Sequence, residues 1–379
     1  MLINRILILL LRILGFCIIN PLLWILFWKR KKVEGTEDPL LLLPAVDIAE
    51  KIRKREITSK QVVQKYIDRI KKVNSVINAV VDDRYADALK EAEAADELIS
   101  VSDEDFSISR PFLGVPFTVK ENVGLAGLSY SAGMIWRRGV LCPKSGPSVE
   151  LLIKAGAIPL CVSNTPEYSM NLECYNHVNG RTLNPYDTRR TPGGSTGGEA
   201  ALLGAGASIF GIGGDIGGSI RQPALNCGVF GHKPTPNLID YEGYWPVIPD
   251  PMLEKLFSIG YMTRYAKDLK PVLKVILGEN VEKLTLDKEI DFKSMKVFVS
   301  ETFCKSFLVN PVDKDIIEAV RGATKALSDM GAQIYKLENY LENLEVILEI
   351  ATAALTSYAD SGTWMLKSQH RDVTIRVSS

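Results

Sequence analysis

The sequence predicts an α/β fold, and three observations carry the prediction. Two apolar, β-rich runs, GVPFTVK (114–120) and AIPLCVSN (157–164), bracket an amphipathic helical run, GPSVELLIKAG (146–156). Strand, helix and strand in that order suggest a right-handed crossover unit. The alternation returns later: LKPVLKVILGE reads as a helix, MKVFVSE as a strand, and DKDIIEAVRGATKALSDMGAQIYKLE as a helix leading into another strand. These later elements are expected to continue the same sheet.

The composition frames what such a fold can do. The chain has 379 residues, 46% hydrophobic and 24% charged, enough for one large core. Lys plus Arg equals Asp plus Glu at 45 each, so there is no basic excess to argue for a nucleic-acid partner. Cys17, Cys142, Cys161, Cys174, Cys227 and Cys304 are scattered with no C-x-x-C pair. They are expected to be free, mostly buried thiols, with neither a metal site nor a disulfide framework.

Taken in order, residues 1–32 form a separate element. From Ile6 to Trp28 the chain is almost wholly apolar, interrupted by Arg12, Asn20 and Pro21. It ends in Trp24, Phe27 and Trp28, followed by Lys29, Arg30, Lys31 and Lys32. Aromatics and then a basic run predict an uncleaved single-pass or interfacial membrane anchor, with intracellular membranes as the expected location. VEGTEDP (33–39) reads as a linker, and residues 33–379 as one domain. Three helices follow in VDIAEKIRKREI, in TSKQVVQKYIDRIKKVN with Thr58 or Ser59 as cap, and in DDRYADALKEAEAADELIS. After the crossover unit, EAALLGAGASI reads as a helix, FGIGGDI as a strand, and GHKPTPNLIDYEGYWPVIPD as an irregular loop.

The chemistry sits in the stretch from Thr191 to Thr235. Ser195 and Ser219 each follow a Gly-Gly pair, Gly193-Gly194 and Gly217-Gly218. Glycine serves where a backbone turns sharply or approaches a ligand. Two turns that each present a hydroxyl read as one acyl-transfer site, with Ser219 as nucleophile. A serine nucleophile needs a base, and His177, His232 and His370 lie in no suggestive motif. Lys120 ends an apolar strand, and burial can bring a lysine from about 10.4 down to about 7 to 8, where it can act as a base. Asp215 and Arg221 flank Ser219, and two readings stand: support of the turn through hydrogen bonds, or a structural ion pair. There is no G-x-x-x-x-G-K-[ST], and neither glycine run matches G-x-G-x-x-G, so a phosphate loop fails on detail.

GVPFTVKEN, GGSTGGEAALLGAGAS, DIGGSIRQP and GHKPT, at this spacing, resemble the amidase signature family. The resemblance implies a mixed central sheet flanked by helices and a cofactor-free, metal-free hydrolase of carboxylic amides. It implies Lys120 as base, Ser195 as a bridging serine preceded by a cis peptide bond, and Ser219 as the attacking group. The backbone around Ile216, Gly217, Gly218 and Ser219 would be the oxyanion hole. The family commonly has serine after the bridging serine. Thr196 stands there in this chain and keeps the hydroxyl while adding a methyl, from which tuning is expected and not loss. The resemblance fades after roughly residue 340, and family members usually continue well past the last residue here, so a short C-terminus is expected.

The expected reaction is hydrolysis of long-chain fatty-acid primary amides and ethanolamides to acid and amine, through an acyl-enzyme. The anchor motivates the lipid substrate and the membrane as partner; a homodimer is also an expectation. Phe210, Met134, Trp136 and Trp245 are candidate walls for an acyl channel, with ordinary core positions as the competing reading. Two alternatives stand beside this: an amidase of another substrate class, and a truncated membrane protein without turnover.

Overall fold

In the computed structural model, residues 14–26, 31–248, 251–302, 310–337 and 347 are described. The chain divides into two compact units, Lys29–Leu286 and a second made of Met1–Trp28 with Asp287–Ser379.

The first unit opens with α1 (Ala45–Arg53) and α2 (Ser59–Ile77). Thr58 caps α2 in a full capping box, its hydroxyl accepting from the Gln61 amide while the Gln61 side chain accepts from the Thr58 amide. Apolar residues at helical spacing bury one face of α2, including Val62, Val63, Tyr66, Ile67 and Ile70. Then come β1 (Val80–Asp83), α3 (Tyr85–Val101), β2 (Pro116–Lys120), α4 (Pro147–Lys154) and β3 (Ile158–Ser163). A small hairpin, β4 (Tyr175–Asn176) and β5 (Gly180–Arg181), precedes α5 (Gly197–Gly204), β6 (Phe210–Asp215), α6 (Arg221–Cys227), β7 (Phe230–His232), β8 (Ser258–Thr263) and α7 (Leu269–Ile276).

The main sheet runs β1-β3-β2-β6-β8-β7. Its centre is parallel, with β2 between β3 and β6, while β1, β8 and β7 join antiparallel. The sheet is therefore mixed. Every residue of β2, β3, β6 and β8 is buried, as strands covered on both faces must be.

Three strands of the main sheet escape the sequence patterns, as do the two of the small hairpin. β1 lies in VVDD, where an acidic pair before α3 hides it. β7 and β8 lie in stretches that contain glycine and show no alternation.

The second unit corrects one expectation. β9 (Lys296–Val299), α8 (Lys314–Asp329) and β10 (Gln333–Lys336) do not extend the main sheet, because β9 and β10 pair with each other in parallel. Their residues are exposed or half-buried, whereas the central strands are buried throughout, so they do not suit a sheet covered on both faces.

Within the expected anchor, Gly15–Ile19 is a π-helical turn and Asn20–Leu26 an α-helix, with Ile18, Ile19, Leu22, Leu23 and Ile25 exposed. Among the described residues no helix is long and apolar enough to cross a membrane. Arg12, Phe27 and Trp28 of that expectation lie outside them, as do Cys304 and His370. Of the other cysteines, Cys17 is exposed and Cys142, Cys161, Cys174 and Cys227 are buried, all free.

Candidate active site

Lys120 closes β2, in register with Ser163 on β3. It is wholly buried, and its Nζ donates to Ser195 Oγ at 2.7 Å. Burial pushes its pKa down to about 7, opposed by Cys174, Asp215 and Glu199.

Ser195 lies in the turn that feeds α5, after a cis Gly194–Ser195 peptide. The chain here passes so close to residues 171–173 that a Cβ on Gly194 would sit 2.4 Å from the Asn171 carbonyl oxygen. Two side chains hold the turn: Thr165 Oγ1 donates to the Ser195 carbonyl at 3.2 Å, and Gln222 Oε1 accepts the Gly194 amide at 3.0 Å. Thr196 adds a third tie, its amide donating to the Ser219 carbonyl at 3.0 Å and its hydroxyl to the Gly214 carbonyl at 3.5 Å. Its methyl is accommodated by Gly213, where a Cβ would lie 2.6 Å from Thr196 Cγ2.

Ser219 is half-buried, in the turn between β6 and α6. Asp215 organises that turn by accepting from the amides of Gly218 at 2.7 Å, Ile220 at 3.0 Å and Arg221 at 3.3 Å. The Arg221 guanidinium grips the same carboxylate at 2.9 and 3.0 Å. Burial pushes the Asp215 carboxyl up, but Arg221 and the amides of Ile220 and Gly218 outweigh it and hold it below its ordinary value. Hydrogen-bonded support of the turn and an ion pair thus coexist in these two residues.

The geometry refines the expected constellation in two places. The Ser219 hydroxyl makes no hydrogen bond among the described residues, so the two serine turns are joined through backbone, from the Thr196 amide to the Ser219 carbonyl, and not through the serine hydroxyls. Of the four amides expected to line an oxyanion hole, that of Gly218 is engaged by Asp215. Those of Ile216, Gly217 and Ser219 have no partner among the described residues.

Among the described residues no histidine stands at this site. His232 bonds the Tyr261 hydroxyl at 3.0 Å, and His177 bonds that of Tyr175 at 3.2 Å. Of the candidate channel walls, Phe210 is a core residue, stacked on Phe117 with centroids 5.5 Å apart. Met134 and Trp245 pack together in a buried cluster, and Trp136 is exposed beside Trp245. Gln222 and Thr165 are supports that the sequence patterns do not single out. Gln222 stands within DIGGSIRQP and Thr165 within SNTPEY, but nothing in either stretch marks them as supports of the Ser195 turn.

Residues 61–376 match the Amidase family, and the chain belongs to it. It is 44% identical over 335 residues to fatty-acid amide hydrolase 2-A of Danio rerio, covering 84% of this chain and 63% of that protein. It is 43% identical to fatty-acid amide hydrolase 2 of Homo sapiens, covering 74% of this chain and 53% of that one. A glutamyl-tRNA(Gln) amidotransferase chain of Thermoanaerobacter pseudethanolicus is 33% identical, covering 76% of this chain and 58% of that protein. The chain thus spans between about half and two thirds of the length of these relatives. Among solved structures, a fatty acid amide hydrolase superposes with a TM-score of 0.68 at 24% identity, covering 80% of this chain and 54% of that one. A peptide amidase from Stenotrophomonas maltophilia gives 0.67 at 24%, covering 79% and 63%. At that identity the likeness concerns the fold.

Proposed function

We propose that this chain is a serine hydrolase of carboxylic amides, with Lys120 as base, Ser195 as relay and Ser219 as nucleophile. The observation that carries the reading is the wholly buried Lys120 amine 2.7 Å from Ser195 Oγ. A lysine that is half deprotonated near pH 7 can accept the Ser195 proton while Ser195 takes that of Ser219. Rotation of the Ser219 hydroxyl towards Ser195 completes the relay. Ser219 Oγ then bonds to the carbonyl carbon, and the negative oxygen is met by the amides of Ile216, Gly217 and Ser219. Removing one such donor typically costs about 2.7 to 4 kcal/mol of barrier. The proton on Lys120 returns through Ser195 to the leaving nitrogen as the C–N bond breaks, and water cleaves the resulting ester.

The substrate we propose is a long-chain fatty-acid amide, drawn from a membrane to which residues 1–32 attach the protein. Support comes from the relatives at 43% and 44% identity named for that activity and from the apolar run between Ile6 and Trp28.

A serine-directed fluorophosphonate, applied to the 379-residue chain in membranes and mapped by peptide, tests the chemistry, with Ser219→Ala as control and limited proteolysis as the check on folding. Labelling confined to Ser219 is expected. Competition by a long-chain primary amide, and not by a short one, is expected for the lipid substrate; the reverse favours another class of amide. A folded chain without labelling would favour the reading without turnover.

A further inference from the structure

Glu199 is a wholly buried carboxyl that the relay above does not use. It lies in the first turn of α5, and its Oε2 is 2.5 Å from Thr118 Oγ1. Thr118 and Lys120 are two residues apart on β2, so their side chains share one face of the sheet. Glu199 therefore sits on the face that carries Lys120. The fold reserves room for it: across from Thr118 on β6 stands Gly211, where a Cβ would fall 1.7 Å from Glu199 Oε2.

Counting protons along this network decides the state of the carboxyl. Ser208 Oγ donates to the Phe210 carbonyl at 3.0 Å, and a carbonyl can only accept. The single Ser208 proton is thereby used. The 2.8 Å contact between Ser208 and Thr118 must then use the proton of Thr118. With Ser208 committed to Phe210, Thr118 has no proton left to donate to Glu199, and the 2.5 Å contact, which the Thr118 hydroxyl could otherwise supply, takes its proton from Glu199 itself. Three contacts in a row require three protons, and the third belongs to a carboxylic acid.

The surroundings agree. Among the described residues Glu199 Oε1 has no hydrogen-bond partner, and the Ser163 hydroxyl lies close by without the geometry of a bond. A bare buried carboxylate oxygen is costly, a bare acid carbonyl much less so. Burial pushes the Glu199 carboxyl well above its ordinary value, and the charge of Lys120 pulls the other way. The titratable groups acting on Glu199 are Lys120 on β2 and the buried Cys161 thiol on β3, while Cys174 and Asp215, the latter already bound to Arg221, act on Lys120 beside it.

We propose that Glu199 is a positioning residue held as the un-ionised acid at neutral pH, so that Lys120 shares its pocket with a neutral neighbour and no bare counter-ion. A carboxylate there would favour the protonated lysine and hold back the base. The inference rests on the reading of Lys120 as base, and its test separates the two.

Difference infrared spectra of the full chain against Glu199→Gln at neutral pH should show the C=O band of a protonated carboxyl, present in the wild type and lost in the variant. Thr118→Val should shift that band, since the acid loses its acceptor. A band that is absent, or that Thr118→Val leaves in place, overturns the proposal, and this readout does not depend on activity. In fluorophosphonate labelling, Glu199→Ala should react about tenfold more slowly, the loss expected for roughly 1.4 kcal/mol of barrier. Glu199→Gln should restore the rate with the same acid-limb midpoint, because a carboxamide is neutral and can donate to Thr118. Wild-type speed in Glu199→Ala, or an acid limb that moves down by about one pH unit in Glu199→Gln, would show an idle residue or an ionised one. Failure of the wild type to label at Ser219, with the infrared band present, would count against the relay and leave the acid standing.

Discussion

The side-chain oxygen of Gln222 accepts the amide proton of Gly194 at 3.0 Å, so a residue from the turn after Ser219 holds the one before Ser195. Gln222 also donates its backbone amide to the Gly218 carbonyl at 2.8 Å, which fastens it to the second turn as well. The two glycine turns are thus clamped by one residue of α6.

Gln222→Leu keeps the volume and removes the acceptor. It should cost about 1 kcal/mol in chemical denaturation, the lower end for a partly buried amide left unpaired. It should also slow labelling of Ser219 several-fold more than that loss of stability accounts for, because the register between the serines loosens.

Activity should rise with pH through about 7 and then level off, because the proposed relay needs a neutral Lys120. Stability follows the same group with a definite sign. The folded pKa lies below the unfolded value of about 10.4, so between about pH 7 and 10 the unfolded chain binds more protons, and stability grows as pH rises. Lys120→Met should be inactive yet more stable than the wild type, by the widest margin at pH 7 and below, with the margin closing towards pH 10. Denaturation curves at several pH values would read this directly.

Asp215→Ala leaves the amides of Gly218 and Ile220 without their acceptor, and about 3 kcal/mol of stability should be lost. The wild-type carboxyl, with its pKa below the ordinary value, contributes stability that is full above about pH 4 and fades as the pH falls through the folded pKa. Acid unfolding of the variant should therefore be less steep. An equally steep acid limb would show that the carboxylate contributes little to the turn.

Gly211→Ala should be severely destabilising because its Cβ would overlap Glu199 Oε2. Adding Glu199→Ala vacates that space, so the double variant should be more stable than Gly211→Ala alone. A double-mutant cycle by thermal unfolding would give a coupling of about 1 kcal/mol or more.

Thr196→Ser retains the hydroxyl near the Gly214 carbonyl and removes a methyl packed against Gly213. Stability should fall by about 0.5 to 1.5 kcal/mol, with turnover of the folded enzyme within a factor of a few of the wild type.

Much of this protein can be read locally. The apolar runs before Lys120 and Ser163, the capping box at Thr58 and Gln61, and the Gly-Gly pairs before Ser195 and Ser219 are signals contained within a few residues. Periodicity, caps and glycine conformations act over that distance, so the sequence by itself determined the helices α1 to α3, the strands β2, β3 and β6, and the candidate triad. What only the tertiary structure decided is who meets whom. Strands β1, β7 and β8 take their places from partners far along the chain, as Asp215 pairs with Ser258 and His232 with Tyr261. Gln222 reaches Gly194, Thr118 reaches Glu199, and Phe210 turns into the core and not a channel. β9 and β10 have strand patterns as legible as that of β2, yet they pair with each other, because exposure of their faces is set by packing that no local pattern contains. Burial and hydrogen-bond partnership depend on how distant segments pack together, and that packing is what lowers the Lys120 pKa and holds the two serine turns in register.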